Sequence, residues 1–180
     1  MSRRFPPEAP AATPPLQRAA LAVSLGALAS LAAAHGFEYL GGYRPCPLCL
    51  IERLAYYFAV PAGFLALILA HGGQRDAAGL LLAACALGFL ANAGLGAYHS
   101  GVEWGWWPGP ETCSGADAAG FSTSDLSQSL EQARVIRCDQ APWRFLGLSF
   151  AGWSTVISLA LAAIGIWGIR AGRRGAPTSR

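Results

Sequence analysis

Four apolar runs, each long enough to cross a bilayer, alternate with polar stretches along this chain. The first, Leu16 to Ala34, spans about 19 residues, or about 28 Å as a helix, which suffices for the hydrocarbon core. The second extends from Pro47 to Ala70, the third from Ala77 to His99 and the fourth from Trp143 to Ile169. Pro61 falls inside the second run and predicts a kink of the sort that membrane helices tolerate. Residues 35–46 form a short loop, His71–Asp76 a tight turn, and residues 100–142 a long non-apolar segment. The pattern predicts an all-α membrane protein: a four-transmembrane-helix bundle with a long loop between helices three and four. Residues 1–15, with Pro6, Pro7, Pro10, Pro14 and Pro15, read as a disordered tail, and residues 170–180 as a second tail. A cleaved signal peptide is the rival reading of the first run, because Ala32-Ala33-Ala34 resembles a cleavage site. The run exceeds the core of about 7–15 residues that such signals carry.

Composition agrees. The chain is 53% hydrophobic and 13% charged, about half the charge of an ordinary soluble domain, and with four spans in these 180 residues no separate soluble domain is expected. The net charge of +3 is small and scattered, which argues against nucleic acid. Its distribution is more informative. Four spans put both termini and the His71–Asp76 turn on one side, together with Arg3, Arg4, Arg18, Arg75, Arg170, Arg173, Arg174 and Arg180. The other side carries Arg44, Arg134, Arg137 and Arg144, with Arg53 just inside the membrane, against Glu38, Glu103, Glu111, Asp117, Asp125, Glu131 and Asp139. Basic residues accumulate on the cytoplasmic side, so both termini are expected there. Trp104, Trp106, Trp107 and Trp143, with Tyr39, Tyr43 and Tyr98, gather at the outer boundary as an interfacial belt.

That orientation places Cys46, Cys49, Cys113 and Cys138 in the compartment where disulfides persist. Cys85 lies inside the third run and reads as a packing residue. The richest stretch is Tyr43-Arg44-Pro45-Cys46-Pro47-Leu48-Cys49-Leu50-Ile51-Glu52-Arg53. Pro47 suits the first position of a helix and biases the preceding residue toward an extended backbone. Cys46 is therefore expected as the cap and Cys49 in the first turn, where free N–H groups and the helix dipole favour negative charge. Arg53, four residues on, shares a face with Cys49. Both effects lower a thiol's pKa and produce the reactive thiolate. The plainer reading is a structural disulfide or half a metal site.

Cys113 and Cys138 are 25 positions apart in the long outer loop. Between them Ser124 to Arg134 reads as a short helix, with Ser124 as cap and Leu126, Leu130 and Ala133 on one face, suited to the membrane surface. A Cys113–Cys138 bond would close a solvent-facing loop, either as a staple or as a labile, catalytic disulfide. A four-cysteine zinc site would need all four thiolates beside one ion; oxidising surroundings and the lack of a second C-x-x-C speak against it, and no metal is expected. Arg53 and Glu52 lie a turn into the second span, where ionisable groups are costly and usually functional. Snorkelling toward the head groups is the simpler reading, above all for Glu52. His99 and Glu103 share a face if the third helix reaches that far, whereas His35 stands without such neighbours. Two dithiols, one in a loop and one at the lipid boundary, suggest a thiol–disulfide relay, for which a lipid-soluble quinone that Arg53 could hold is the expected electron sink.

These residues together resemble a known family. Pro45-Cys46-Pro47-Leu48-Cys49 with Glu52-Arg53, Tyr98-His99-Ser100-Gly101-Val102-Glu103, Gly109-Pro110 before Cys113, and Cys138-Asp139 followed by Trp143-Arg144-Phe145-Leu146-Gly147-Leu148-Ser149-Phe150-Ala151-Gly152-Trp153 are similar to DsbB, the bacterial disulfide bond formation protein B. The likeness covers roughly residues 20–168. It implies an inner-membrane four-helix bundle that reoxidises a periplasmic DsbA-like dithiol protein and passes electrons to ubiquinone or menaquinone. It further implies that Cys113 is the sulfur attacked by the partner, that Cys138 resolves toward Cys46, and that Cys49 is the thiolate that meets the quinone. Arg53, His99 and Glu103 fall where the family contacts the quinone head group, although some relatives carry glutamine at the last position. Pro47 within the C-x-x-C departs from the best-studied members. Two rivals stand beside this reading: a non-catalytic four-span scaffold with structural disulfides, and a thiol/quinone oxidoreductase of the vitamin K epoxide reductase kind. The second would place its C-x-x-C late in the chain, whereas here the motif opens the second span.

Overall fold

The computed structural model describes residues 14–110 and 137–174. Four helices carry the fold: α1 (Pro14–Tyr39), α2 (Pro47–His71), α3 (Arg75–Glu103) and α4 (Phe150–Arg174). All four are long and apolar enough to cross a membrane. Each packs against its neighbours in the chain and α4 closes on α1, so the helices form a ring in which the α1–α3 diagonal barely touches. Residues 104–149 connect α3 to α4, the position of the long connection expected there.

The bundle interior is built from small side chains. Alanine dominates the buried apolar positions, among them Ala20, Ala27, Ala59, Ala66, Ala70 and Ala78, with Leu82, Phe89 and Cys85 filling the centre. Large residues such as Leu25, Leu54, Phe58, Ile68, Leu80, Leu87 and Trp167 point outward. Lipid is as apolar as leucine, so helices in a membrane associate through close approach and interhelical hydrogen bonds rather than through hiding leucines. A β-carbon at Gly63 would strike the Ser24 side chain, and one at Gly96 would strike Thr155 and the Ala151 carbonyl. These two glycines therefore set the α1–α2 and α3–α4 spacing. Polar groups cross the interior at mid-depth: Tyr56 Oη lies 2.9 Å from Ser158 Oγ, and Asn92 Nδ2 donates to the same hydroxyl at 3.0 Å. One network thus ties α2, α3 and α4.

Several helices run a few residues past the apolar pattern, and two boundaries that shape the site differ for a local reason. The first helix continues past Ala34 to Tyr39, because a lone Gly36 does not stop it and Phe37 docks against Tyr43, Trp143 and Phe150 at ring separations of 6.0, 5.3 and 5.0 Å. The fourth helix begins at Phe150, not Trp143. Before it, β1 (Arg144–Phe145) pairs antiparallel with β2 (Leu148–Ser149) about Leu146 and Gly147, whose φ values are +52° and +81°. Positive φ at both central positions is the signature of a tight hairpin turn. Ser149 Oγ then accepts the Gly152 N–H at 3.3 Å and caps α4. The third helix does reach Glu103, and α2 runs unbroken through Pro61. The helix expected over Ser124–Arg134 and the residue Cys113 lie outside the described residues.

Candidate active site

The start of α2 takes the form its sequence dictates. Cys46 is the N-cap, with an extended backbone at φ −77° and ψ 166°, and Pro47 occupies the first turn. The Cys49 N–H donates to Cys46 Sγ at 3.2 Å, so the orphan donor of the helix end is spent on Cys46. The two sulfurs are 2.7 Å apart. Hydrogen bonding from the Cys49 thiol holds the Cys46 thiol below its ordinary pKa, against the opposing effect of burial.

His99 completes the arrangement from α3. Its Nε2 lies 3.6 Å from Cys46 Sγ and its Nδ1 lies 2.7 Å from Glu52 Oε1. With Nδ1 engaged by the Glu52 carboxyl, Nε2 is the ring nitrogen that faces sulfur. Glu52 is therefore no snorkelling residue: it is 5% exposed and paired with His99, which is 2% exposed. A carboxylate facing lipid would be costly, whereas at this register of α2 it faces α3 and finds a partner.

Arg53 goes elsewhere. Its Nη1 donates to Glu38 Oε2 at 2.5 Å, a contact made possible by the extension of α1. His35, one turn before Glu38, lies 3.6 Å from the same carboxylate oxygen and 2.6 Å from the Tyr57 hydroxyl. His35 thus has neighbours after all, and Glu38 is a site-wall residue that the sequence reading left in a loop. The spacing His35-x-x-Glu38 was the available signal, hidden by ending the helix at Ala34.

These groups line a cavity of about 690 Å³. Cys46, Cys49, Glu52, Arg53, His99 and Glu103 form its polar wall, while Phe37, Tyr43, Trp143, Phe150 and Ile157 form the apolar one. Trp143 stacks on Phe150 at 4.8 Å between ring centres, brought there by the hairpin. Glu103 Oε2 is buried and makes no hydrogen bond among the described residues. The cavity thus presents a flat aromatic face and a guanidinium, with the His99 imidazole and the Glu103 carboxyl set in its polar wall.

Cys138 is buried and disulfide-bonded. It packs in one small cluster with Cys46, Leu48 and Val102, against which Cys49 also rests. Beside it the exposed Arg137 forks onto Asp139 at 2.6 and 3.0 Å, and that hydrogen bonding holds the Asp139 carboxyl below the usual carboxylate range. Three of the four outer cysteines named from the sequence therefore meet at one end of the bundle; Cys113 lies outside the described residues, and Cys85 is remote in the core.

Comparison with known proteins points the same way. The family described as disulfide bond formation protein DsbB matches residues 16–168. Relatives named disulfide bond formation protein B include one from Polaromonas sp. (strain JS666), 32% identical over 151 residues, covering 80% of this chain and 84% of the relative. That from Verminephrobacter eiseniae is 32% identical over 166 residues, covering 86% and 89%. That from Xanthomonas oryzae pv. oryzae is 34% identical over 142 residues, covering 73% and 75%. No solved structure matches the chain. Four membrane-length helices, a thiol pair capping the second and a family match over most of the length lead to one conclusion: the chain belongs to the DsbB family of multi-pass membrane disulfide bond formation proteins.

Proposed function

We propose that this protein is a thiol oxidase of the bacterial inner membrane, which reoxidises a DsbA-like dithiol protein on the periplasmic side and delivers the two electrons to a membrane quinone. The observation that carries the reading is the packing of Cys138 into the same buried cluster as Cys46, at the edge of a cavity that also holds Cys49 and Arg53. In this scheme a thiolate of the partner attacks Cys113 and frees Cys138. Cys138 attacks Cys46, breaking a Cys46–Cys49 disulfide and leaving Cys49 as thiolate beside the cavity. The second thiol of the partner releases it as a disulfide, and the chain retains the two electrons as thiols.

The cavity suits a quinone head group. Its aromatic face matches a flat ring, and Arg53 offers hydrogen-bond donors for a ring oxygen, with His99 and Glu103 in the same wall. When bound, a quinone supplies a two-electron, two-proton acceptor. Arg53, held in place by Glu38, orients that ring and meets the charge that develops on it, while Glu103 exchanges a proton at the cavity wall. Ubiquinone and menaquinone both carry the flat ring and ring oxygens that such a wall would meet.

The test is turnover. Purified protein with either quinone should oxidise a reduced periplasmic dithiol protein, and Cys49→Ser should abolish the reaction. Full turnover in that variant, or no dependence on quinone, rejects the route. A stapled scaffold predicts no turnover at all.

A further inference from the structure

We propose that the reduced Cys46–Cys49 pair, with His99, is a binding site for a thiophilic divalent cation of the zinc type, and that an ion bound there withdraws the protein from its redox cycle. Cys46 Sγ, Cys49 Sγ and a ring nitrogen of His99 all lie within 4.8 Å of one another, and Nε2 is the nitrogen that faces Cys46 Sγ. A tetrahedral zinc ion holds sulfur at about 2.3 Å and nitrogen at about 2.0–2.1 Å. Its ligands are then separated by about 3.6 Å for sulfur to nitrogen and about 3.8 Å for sulfur to sulfur. The Cys46–His99 distance of 3.6 Å already meets the first requirement. The second needs the sulfurs to part from 2.7 Å by about 1 Å, a side-chain rotation at Cys49, which is only half-buried.

An independent feature singles the site out from other C-x-x-C pairs. Zinc-binding histidines donate their second ring N–H to a carboxylate, which fixes the tautomer and strengthens the ligand. Glu52 does this for His99, at 2.7 Å and in a buried position. The donor set is thus two thiols and an imidazole already aimed by a carboxylate, with a fourth position open toward the cavity. On binding, each thiol gives up its proton to solvent and its sulfur becomes a metal ligand; no electron moves. Both sulfurs are then engaged, so their disulfide cannot re-form until the ion leaves. The inference requires only that the pair be reducible, not that a quinone be its acceptor.

The experiment uses the full chain in lipid nanodiscs, reduced and held under argon without quinone or partner. Titration with Co²⁺ should give one tightly bound equivalent showing thiolate-to-cobalt charge transfer and the visible bands of a tetrahedral ion, both bleached by Zn²⁺. Glu52→Gln should weaken binding about 10–100-fold, as loss of a supporting carboxylate does elsewhere, and His99→Ala should weaken it further. Cys85→Ala should leave it unchanged. A measurement on the unaltered protein guards against misfolded variants: Cd²⁺ should protect Cys46 and Cys49 from alkylation while Cys113 remains reactive. Absence of a tetrahedral cobalt spectrum, equal binding in His99→Ala, or protection confined to Cys113 and Cys138 would overturn the proposal. Quinone-dependent turnover is read separately, so metal binding and oxidase activity stand or fall independently.

Discussion

The division of labour between two adjacent charged residues decides the chemistry of the site. Glu52 points across to His99, and Arg53, one position on, swings to Glu38. Sequence spacing placed Arg53 on the face of Cys49, and it does line the same cavity, but its strongest partner is on α1. The charged hydrogen bond orients the guanidinium and partly neutralises it, so Glu38→Gln should mimic a milder Arg53→His. Both should raise the apparent quinone KM, Arg53→His by about tenfold or more, equivalent to about 1.4 kcal/mol, with the KM for the protein substrate little changed; an effect confined to the protein substrate would contradict the assignment. Cys46 has a sharper expectation. Its thiol is held below the ordinary range chiefly by the Cys49 thiol, and only the thiolate reacts. Alkylation of Cys46 should therefore stay fast as pH falls below that range, and in Cys49→Ala the pH–rate midpoint should move upward; an unmoved midpoint would show that the neighbour is irrelevant. The capping role of Cys46 was legible from Pro47 alone. The Glu52–His99 pairing was not, because the two lie on different helices 47 positions apart, and no local spacing encodes the rotation of one helix against another.

At the scale of elements, the helices exist because of apolar length, but they fit together through a few small and polar positions. Asn92 reads as an ordinary interruption of an apolar run, yet it donates to Ser158 and Ser154 on α4, while Tyr56 on α2 bonds to the same pair. Replacing Asn92 by Ala should cost about 1 kcal/mol, within the range for interhelical hydrogen bonds in membranes, and lower the thermal midpoint by about 2–4 °C, measured by thermal unfolding in one fixed detergent. No loss of stability would mean that the network is not a structural tie. The start of α4 shows where apolar pattern misleads. Trp143 and Phe145 look like the beginning of a span, but Leu146 and Gly147 turn the chain back on itself, and the helix waits for Ser149. That delay carries Trp143 onto Phe37 and Phe150, and so the hairpin, an element without a hydropathy signature, builds the apolar wall of the cavity.

For the whole molecule, hydropathy revealed four spans, arginine placement proposes a side for each loop, and the ring order of the helices emerges only from packing. The proposed orientation is testable. Labelling of intact cells with a membrane-impermeant thiol reagent, after reduction, should reach Cys113 and Cys138, and a cysteine introduced at Gly73 should react only after the membrane is opened; the reverse result would place the thiols in the wrong compartment for an oxidase. The lower boundary of the cavity has a consequence of its own. Its deepest walls are Tyr56, Ser154 and Ile157, and none of its lining comes from Ala62–His71 or Arg75–Asn92, where Ala66, Ala70, Ala78 and Leu82 close the bundle. The half of the bundle below the cavity is packed shut. Under the proposed function, guests and protons would have no passage through that half, so electrons would be drawn off one face of the membrane without a leak to the other.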